Sequence, residues 1–149
     1  MSEDLNDLYQ AIILDHNTCP RHYGVLTNAT HMAEGYNSLC GDRIEVFLKL
    51  SGDLIEAIQF KCASCAICKA SASIMAESLV GQSQLVGESI QESVSIILKT
   101  DTKISTIDVQ GEILALSGVR NFPARIKCAT LPWHTYQAAL RGEAKAVTE

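Results

Sequence analysis

The chain has no excess of positive charge: 12 Lys and Arg against 17 Asp and Glu leave a formal net charge of -5. Nucleic-acid binding draws its affinity from a basic face that displaces phosphate counterions, so this balance points away from nucleic acid. Also missing is any apolar run near the ~18 residues that a membrane helix needs. The first twenty residues carry Glu3, Asp4, Asp7 and Asp15 but no Lys or Arg, so they lack the basic segment of a secretory signal. A cytoplasmic protein with no membrane partner is expected. No low-complexity tract and no internal repeat is visible. No two of the four His are spaced i, i+4, which removes the usual paired-imidazole metal signature. The six Cys are even in number. In a reducing compartment, however, clustered thiols bind metal or do sulfur chemistry more often than they form disulfides.

What is present suits one domain, residues 1–149, with 47% hydrophobic content. At this size roughly 68–70% of the unfolded surface can be buried, enough for a true core. Ser2 can cap a first helix whose apolar stripe is Leu5, Leu8, Tyr9, Ile12 and Ile13, fading near residues 15–17. The punctuated stretch from Cys19 through Pro20 to Gly24 reads as a loop. Residues 30–37 are a candidate strand. From Arg43 to Leu50, Ile44, Val46, Leu48 and Leu50 face one way and Arg43, Glu45 and Lys49 the other, and Leu54 to Lys61 returns after Ser51-Gly52-Asp53, which predicts an antiparallel hairpin. A helix with Ala72, Met75 and Leu79 on one face follows, with Gly81 beyond its end. Residues 83–99 predict another helix. Residues 101–122 predict a loop and a short helix, and Pro123 suits the start of a last one, kinked or split at Pro132. The expected fold class is α+β, a small antiparallel three-stranded sheet packed against several helices.

Chemistry concentrates where the hairpin meets its following helix. Cys62, Cys65 and Cys68 are three apart, close enough for two of them to reach one ion. Cys40 precedes the first hairpin strand, so an in-register pair puts it at the same sheet end, while Cys128 falls near the start of the last helix. Cysteines in the first turn of a helix are expected to have lowered pKa values, because the backbone N–H groups favour a thiolate. A ferredoxin-type cluster would need a fourth Cys followed by Pro, and the chain has Ala72 instead. A closed structural zinc site from two loop cysteines plus Cys40 and Cys128 fits the spacing. Asp42, a weaker ligand than a thiolate, would instead leave an exchangeable position. Cys19 has no partner at such spacing and is expected to be a half-buried small residue. His16 is the histidine expected to line a site.

Several segments, in order along the chain, resemble the U-type iron–sulfur assembly proteins: Leu8-Tyr9-Gln10, Ile12 through His16, Pro20-Arg21, Cys40-Gly41-Asp42, Ala70-Ser71-Ala72-Ser73, and Phe122 through Ala129. Lys127 before Cys128, and the long separation of Cys65 from Cys128, are similar to the SufU-like branch. The resemblance implies zinc held by Cys40, Asp42, Cys65 and Cys128. It implies that Cys40 accepts sulfur from a PLP-dependent cysteine desulfurase, with Arg125 in support, and that sulfur passes on to cluster assembly and apo iron–sulfur proteins. Such a chain is a sulfur-transfer partner rather than a stand-alone enzyme. The alternative it implies is a scaffold on which iron, or a transient iron–sulfur cluster, is held by the same residues. The chain departs from that pattern where Gly-x-Gly is usual, with Cys62-Ala63-Ser64, and where Ser is usual, with Cys68. The two added thiols are candidate second ligands, sulfur acceptors or a redox pair.

Overall fold

A computed structural model describes residues 2–38, 41–98, 111–120 and 122–148. Helix α1 (Ser2–Thr18) is followed by strands β1 (His31–Asn37), β2 (Asp42–Ser51) and β3 (Leu54–Ala63), then helices α2 (Ala66–Leu79) and α3 (Gln84–Ile97). A 3-10 helix (Gly111–Val119), helix α4 (Pro123–Leu140) and a short strand β4 (Lys145–Thr148) complete the described chain. The hairpin forms as the alternation dictates. Ile44 pairs with Cys62 and Val46 with Phe60, and Gly52 takes the positive φ of 59° that the tight turn requires. Because β2 and β3 are antiparallel and, apart from a bulge between Lys49 and Leu50, in register, the start of one and the end of the other share a sheet end.

Among the described residues the sheet has four strands in the order β3-β2-β1-β4, not three. The added strand pairs with β1 in parallel. Lys145 to Thr148 is too short to carry a readable alternation, and its partner lies more than a hundred positions earlier, so local pattern could not reveal it.

Alternate residues of the three long strands, among them Ala33, Ile44, Val46, Leu48, Ile58 and Phe60, are buried on the face that the helices cover, and Leu50 and Cys62 at its margins are partly buried. Helix α4 lies on β1 and β2, α2 lies on β3 and α4, and α1 packs on α2. Gly35 on β1 packs directly against α4: a Cβ there would run into Thr135 Oγ1 and Ile44. Helix α1 buries Tyr9, Ile12 and Ile13 in part and His16 completely, while Leu8 is left exposed, so the inward stripe is rotated from the expected one.

Helix α2 ends as a type II turn. Val80 is extended, Gly81 has φ 79°, and Gln82 N–H donates to Leu79 C=O at 3.1 Å. Ser83 caps α3 by accepting the Val86 N–H. Pro123 opens α4, as its fixed φ favours, and Pro132 lies inside a continuous helix instead of splitting it. Pro132 is buried on the packed side of that helix, where tertiary contacts outweigh one missing N–H.

Candidate metal centre

The run Ala70 to Ser73 is wholly buried, and its two serines fix α2 to its neighbours. Small side chains let the helices approach closely, and each hydroxyl then needs a partner. Ser71 donates to the Ala129 carbonyl at 2.6 Å and accepts from Trp133 Nε1 at 3.1 Å, which locks α2 against α4. Ser73 accepts the Arg21 N–H at 2.8 Å and lies 2.7 Å from His16 Nδ1, tying α2 to α1 and the loop after it. That loop also lies along the edge of β3, where Gly24 N–H donates to Phe60 C=O and Phe60 N–H to His22 C=O.

This framework places three side chains from separate segments at the N-terminal end of α2. Asp42 opens β2, Cys65 is the residue just before the first turn of α2, and Cys128 is on α4. One ligand atom from each lies within 4.8 Å of the others. Asp42 is 2% exposed and Cys128 3%, whereas Cys65 is open to solvent. Asp42 Oδ1 accepts the Cys65 N–H at 2.9 Å, and its Oδ2 lies 3.8 Å from Cys65 Sγ. Thiolate and carboxylate oxygen on one tetrahedral zinc would be about 3.6 Å apart, so the two groups already have the separation a shared ion demands. Cys65 makes no side-chain capping bond to α2. The Cys128 thiol is directed back to the Ala124 carbonyl at 3.6 Å. The donor set therefore fits a borderline-soft ion such as zinc.

Cys40, two positions before Asp42, lies outside the described residues. Arg125 is exposed in the first turn of α4, its guanidinium 5.0 Å over the Phe122 ring. Cys128 is the sixth residue of α4, beyond the first turn where the dipole acts. Cys19 is exposed, not half-buried. Of the three loop cysteines, Cys65 alone joins a ligand group among the described residues.

Cys68 overturns the expectation of a reactive thiol in the first turn of α2. It is fully buried, and burial pushes its pKa far above the ordinary thiol value. A dipole contributes about 0.3–1 kcal/mol, whereas desolvation can shift a pKa by about 3–5 units, so burial wins. Cys62 is half-buried, and burial raises its pKa as well. Neither Ser71 nor Ser73 was singled out in the sequence for its role here. The signal was there as two hydroxyls in the middle of an apolar helical face, where a buried Ser must find a partner.

The described residues thus form a four-stranded α+β layer with a thiol and carboxylate cluster at one sheet end. Residues 8–129 match the profile of the NifU-like N terminal domain, and the chain belongs to that family. It is 40% identical over 140 residues to the zinc-dependent sulfurtransferase SufU of Bacillus subtilis (strain 168), covering 94% of each chain. It is 34% identical to the iron–sulfur cluster assembly scaffold protein IscU of Streptococcus pyogenes serotype M1, covering 95% of this chain and 88% of that one. A SUF-system cluster assembly scaffold protein of Fervidobacterium islandicum AW-1 superposes with a TM-score of 0.76 at 29% identity, over 87% of this chain and 93% of that one. No helix among the described residues is long and apolar enough to cross a membrane.

Proposed function

We propose that the protein is a zinc-bound sulfur acceptor in iron–sulfur cluster assembly, serving a PLP-dependent cysteine desulfurase. The observation that carries this reading is the meeting of Asp42, Cys65 and Cys128 from three distant segments, two of the three buried. Cys40 is the fourth ligand of the proposal. Bound zinc would keep the thiols deprotonated at neutral pH. Asp42 accepts the Cys65 N–H, which holds its carboxylate at the mouth of α2. The exposed side of the centre is the Cys65 side, so a partner enters there.

In the transfer step, the Cys40 thiolate attacks the outer sulfur of the desulfurase persulfide. A new S–S bond forms on Cys40 as the enzyme's S–S bond breaks, and the electron pair leaves on the enzyme thiolate, so no external oxidant or reductant is consumed. Arg125, in the first turn of α4, is the cation proposed to hold the incoming anionic sulfur. Sulfur then passes to cluster-assembly or apo iron–sulfur proteins.

Likeness to an IscU scaffold favours a second reading, in which the same donors carry a labile cluster. Anaerobic purification separates the two: one tightly held zinc without visible chromophore supports transfer, and bound iron with visible absorption supports scaffolding. Desulfurase turnover with Cys40→Ser then tests the acceptor. Stimulation is expected to vanish, and stimulation that survives would falsify the transfer step.

A further inference from the structure

The far end of α2 gathers a second donor set. His16 of α1, Glu77 of α2 and Glu112 of the 3-10 helix bring an imidazole nitrogen and two carboxylate oxygens within 4.8 Å of one another. From this geometry we infer a second metal site, for a divalent first-row transition ion held by nitrogen and oxygen only.

His16 carries the argument. Its side chain is fully buried, yet Nε2 has no hydrogen-bond partner among the described residues. That nitrogen lies 3.1 Å from Glu112 Oε2, near enough for an ion pair but not aligned as a hydrogen bond. A buried ring nitrogen left this way costs about 1–3 kcal/mol unless something else satisfies it. Two donors each about 2.1 Å from one ion, at right angles, are about 3.0 Å apart, close to the separation seen. The other ring nitrogen is held by Ser73 Oγ at 2.7 Å, as metal-binding histidines are usually held. With two lone pairs, Ser73 Oγ can accept both the Arg21 N–H and an Nδ1–H, which leaves the Nε2 lone pair for the ion. Both carboxylates reach solvent, Glu77 as an exposed residue and Glu112 with its side chain 41% exposed, so an ion has a route in.

The two ends of α2 cannot share one ion. Glu77 follows Cys65 by twelve positions, a rise of about 18 Å along the helix. An ion at the far end would join α1, α2 and the 3-10 helix. The last of these ends at Val119, just ahead of α4 and Cys128. Occupancy would thus fix the segment that leads into the helix bearing Cys128.

Manganese is the discriminating probe, because Mn²⁺ prefers nitrogen and oxygen donors to thiolates. The full chain, loaded with one equivalent of zinc, is titrated with Mn²⁺ and read by loss of the free-ion EPR signal. One bound Mn²⁺ per chain is expected. Glu77→Gln and Glu112→Gln, both at solvent-reaching side chains that the fold can spare, should each weaken it by about tenfold or more. Cys65→Ser should leave it unchanged, so the result is independent of the transfer proposal. Absence of saturable Mn²⁺ binding, or an affinity in either Gln variant unchanged from that of the native chain, overturns the site and leaves the His16 and Glu112 contact as an ion pair alone.

Discussion

The two ends of α2 differ in kind although one helix builds both. At its N-terminal end the donors are two sulfurs and a carboxylate, with the acid and one thiol shut away from water. At its C-terminal end they are one buried imidazole and two carboxylates that face solvent. Soft thiolates select zinc or iron in sulfur chemistry, whereas the N/O set suits harder divalent ions. The buried serines decide which neighbour each end meets, Ser71 holding α4 and Ser73 holding α1. A helix of 14 residues can therefore keep two metals apart by donor type as well as by distance.

The sharpest way to break this contrast is at Cys128. Cys128→Ser should lower zinc retention at the thiol end by more than about a hundredfold, since even outer-shell changes cost about 10–100-fold. Metal analysis after dialysis against a chelator checks it, and unaltered retention would remove Cys128 from the centre. Mn²⁺ binding at the other end should not change. Stripping zinc should also lower Tm in the native chain, because an ion that binds the folded state alone stabilises it by mass action.

Gly35→Ala tests the same separation through packing. The added methyl has no room between β1 and α4, so the helix must move or the strand must bend. A loss of about 2 kcal/mol is expected from overpacking, measured by urea unfolding. Zinc retention should fall with it, because Cys128 rides on α4, whereas none of the second set of donors does. An equal fall in Mn²⁺ affinity would show that the two ends are coupled.

A smaller effect is expected from Ser71→Ala, which strands the Trp133 Nε1–H in the interior and removes the second bond of the Ala129 carbonyl. It should cost about 1–2 kcal/mol and loosen the thiol end first. Urea unfolding compared with zinc retention in this variant checks the order.

Much of this architecture could be read from the sequence because it follows local periodicity. The alternation from Ile44 to Leu50 and the Ser51-Gly52-Asp53 turn fixed the hairpin, and the hairpin alone brings Asp42 beside Cys65. What escaped reading depends on tertiary position. Cys65 and Cys68 look alike as letters, but the first precedes the helix at the surface and the second turns into the core. Strand β4 pairs with a segment from the other end of the chain. The grouping of His16 with Glu77 and Glu112 joins three elements with no spacing signature at all.

The mildest prediction concerns alkaline pH and also lies on the α4 side. Tyr136 is fully buried, and burial, with the Glu88 charge, pushes its pKa up to about 12 from an ordinary value of 10.0. Because the folded value is the higher one, the neutral phenol stabilises the fold fully below about pH 10, and that stability drains away as pH rises toward 12. At pH 11 the loss is about 1 kcal/mol. The Tyr136 hydroxyl lies against Gly87, where even a Cβ would come within 2.7 Å, and it has no hydrogen-bond partner to lose among the described residues. Tyr136→Phe should therefore leave stability at pH 7 nearly unchanged and flatten the decline between pH 10 and 11, measured by urea unfolding at each pH. A variant that declines as steeply as the native chain would place the alkaline weakness elsewhere, with the buried Cys68 thiol next in line.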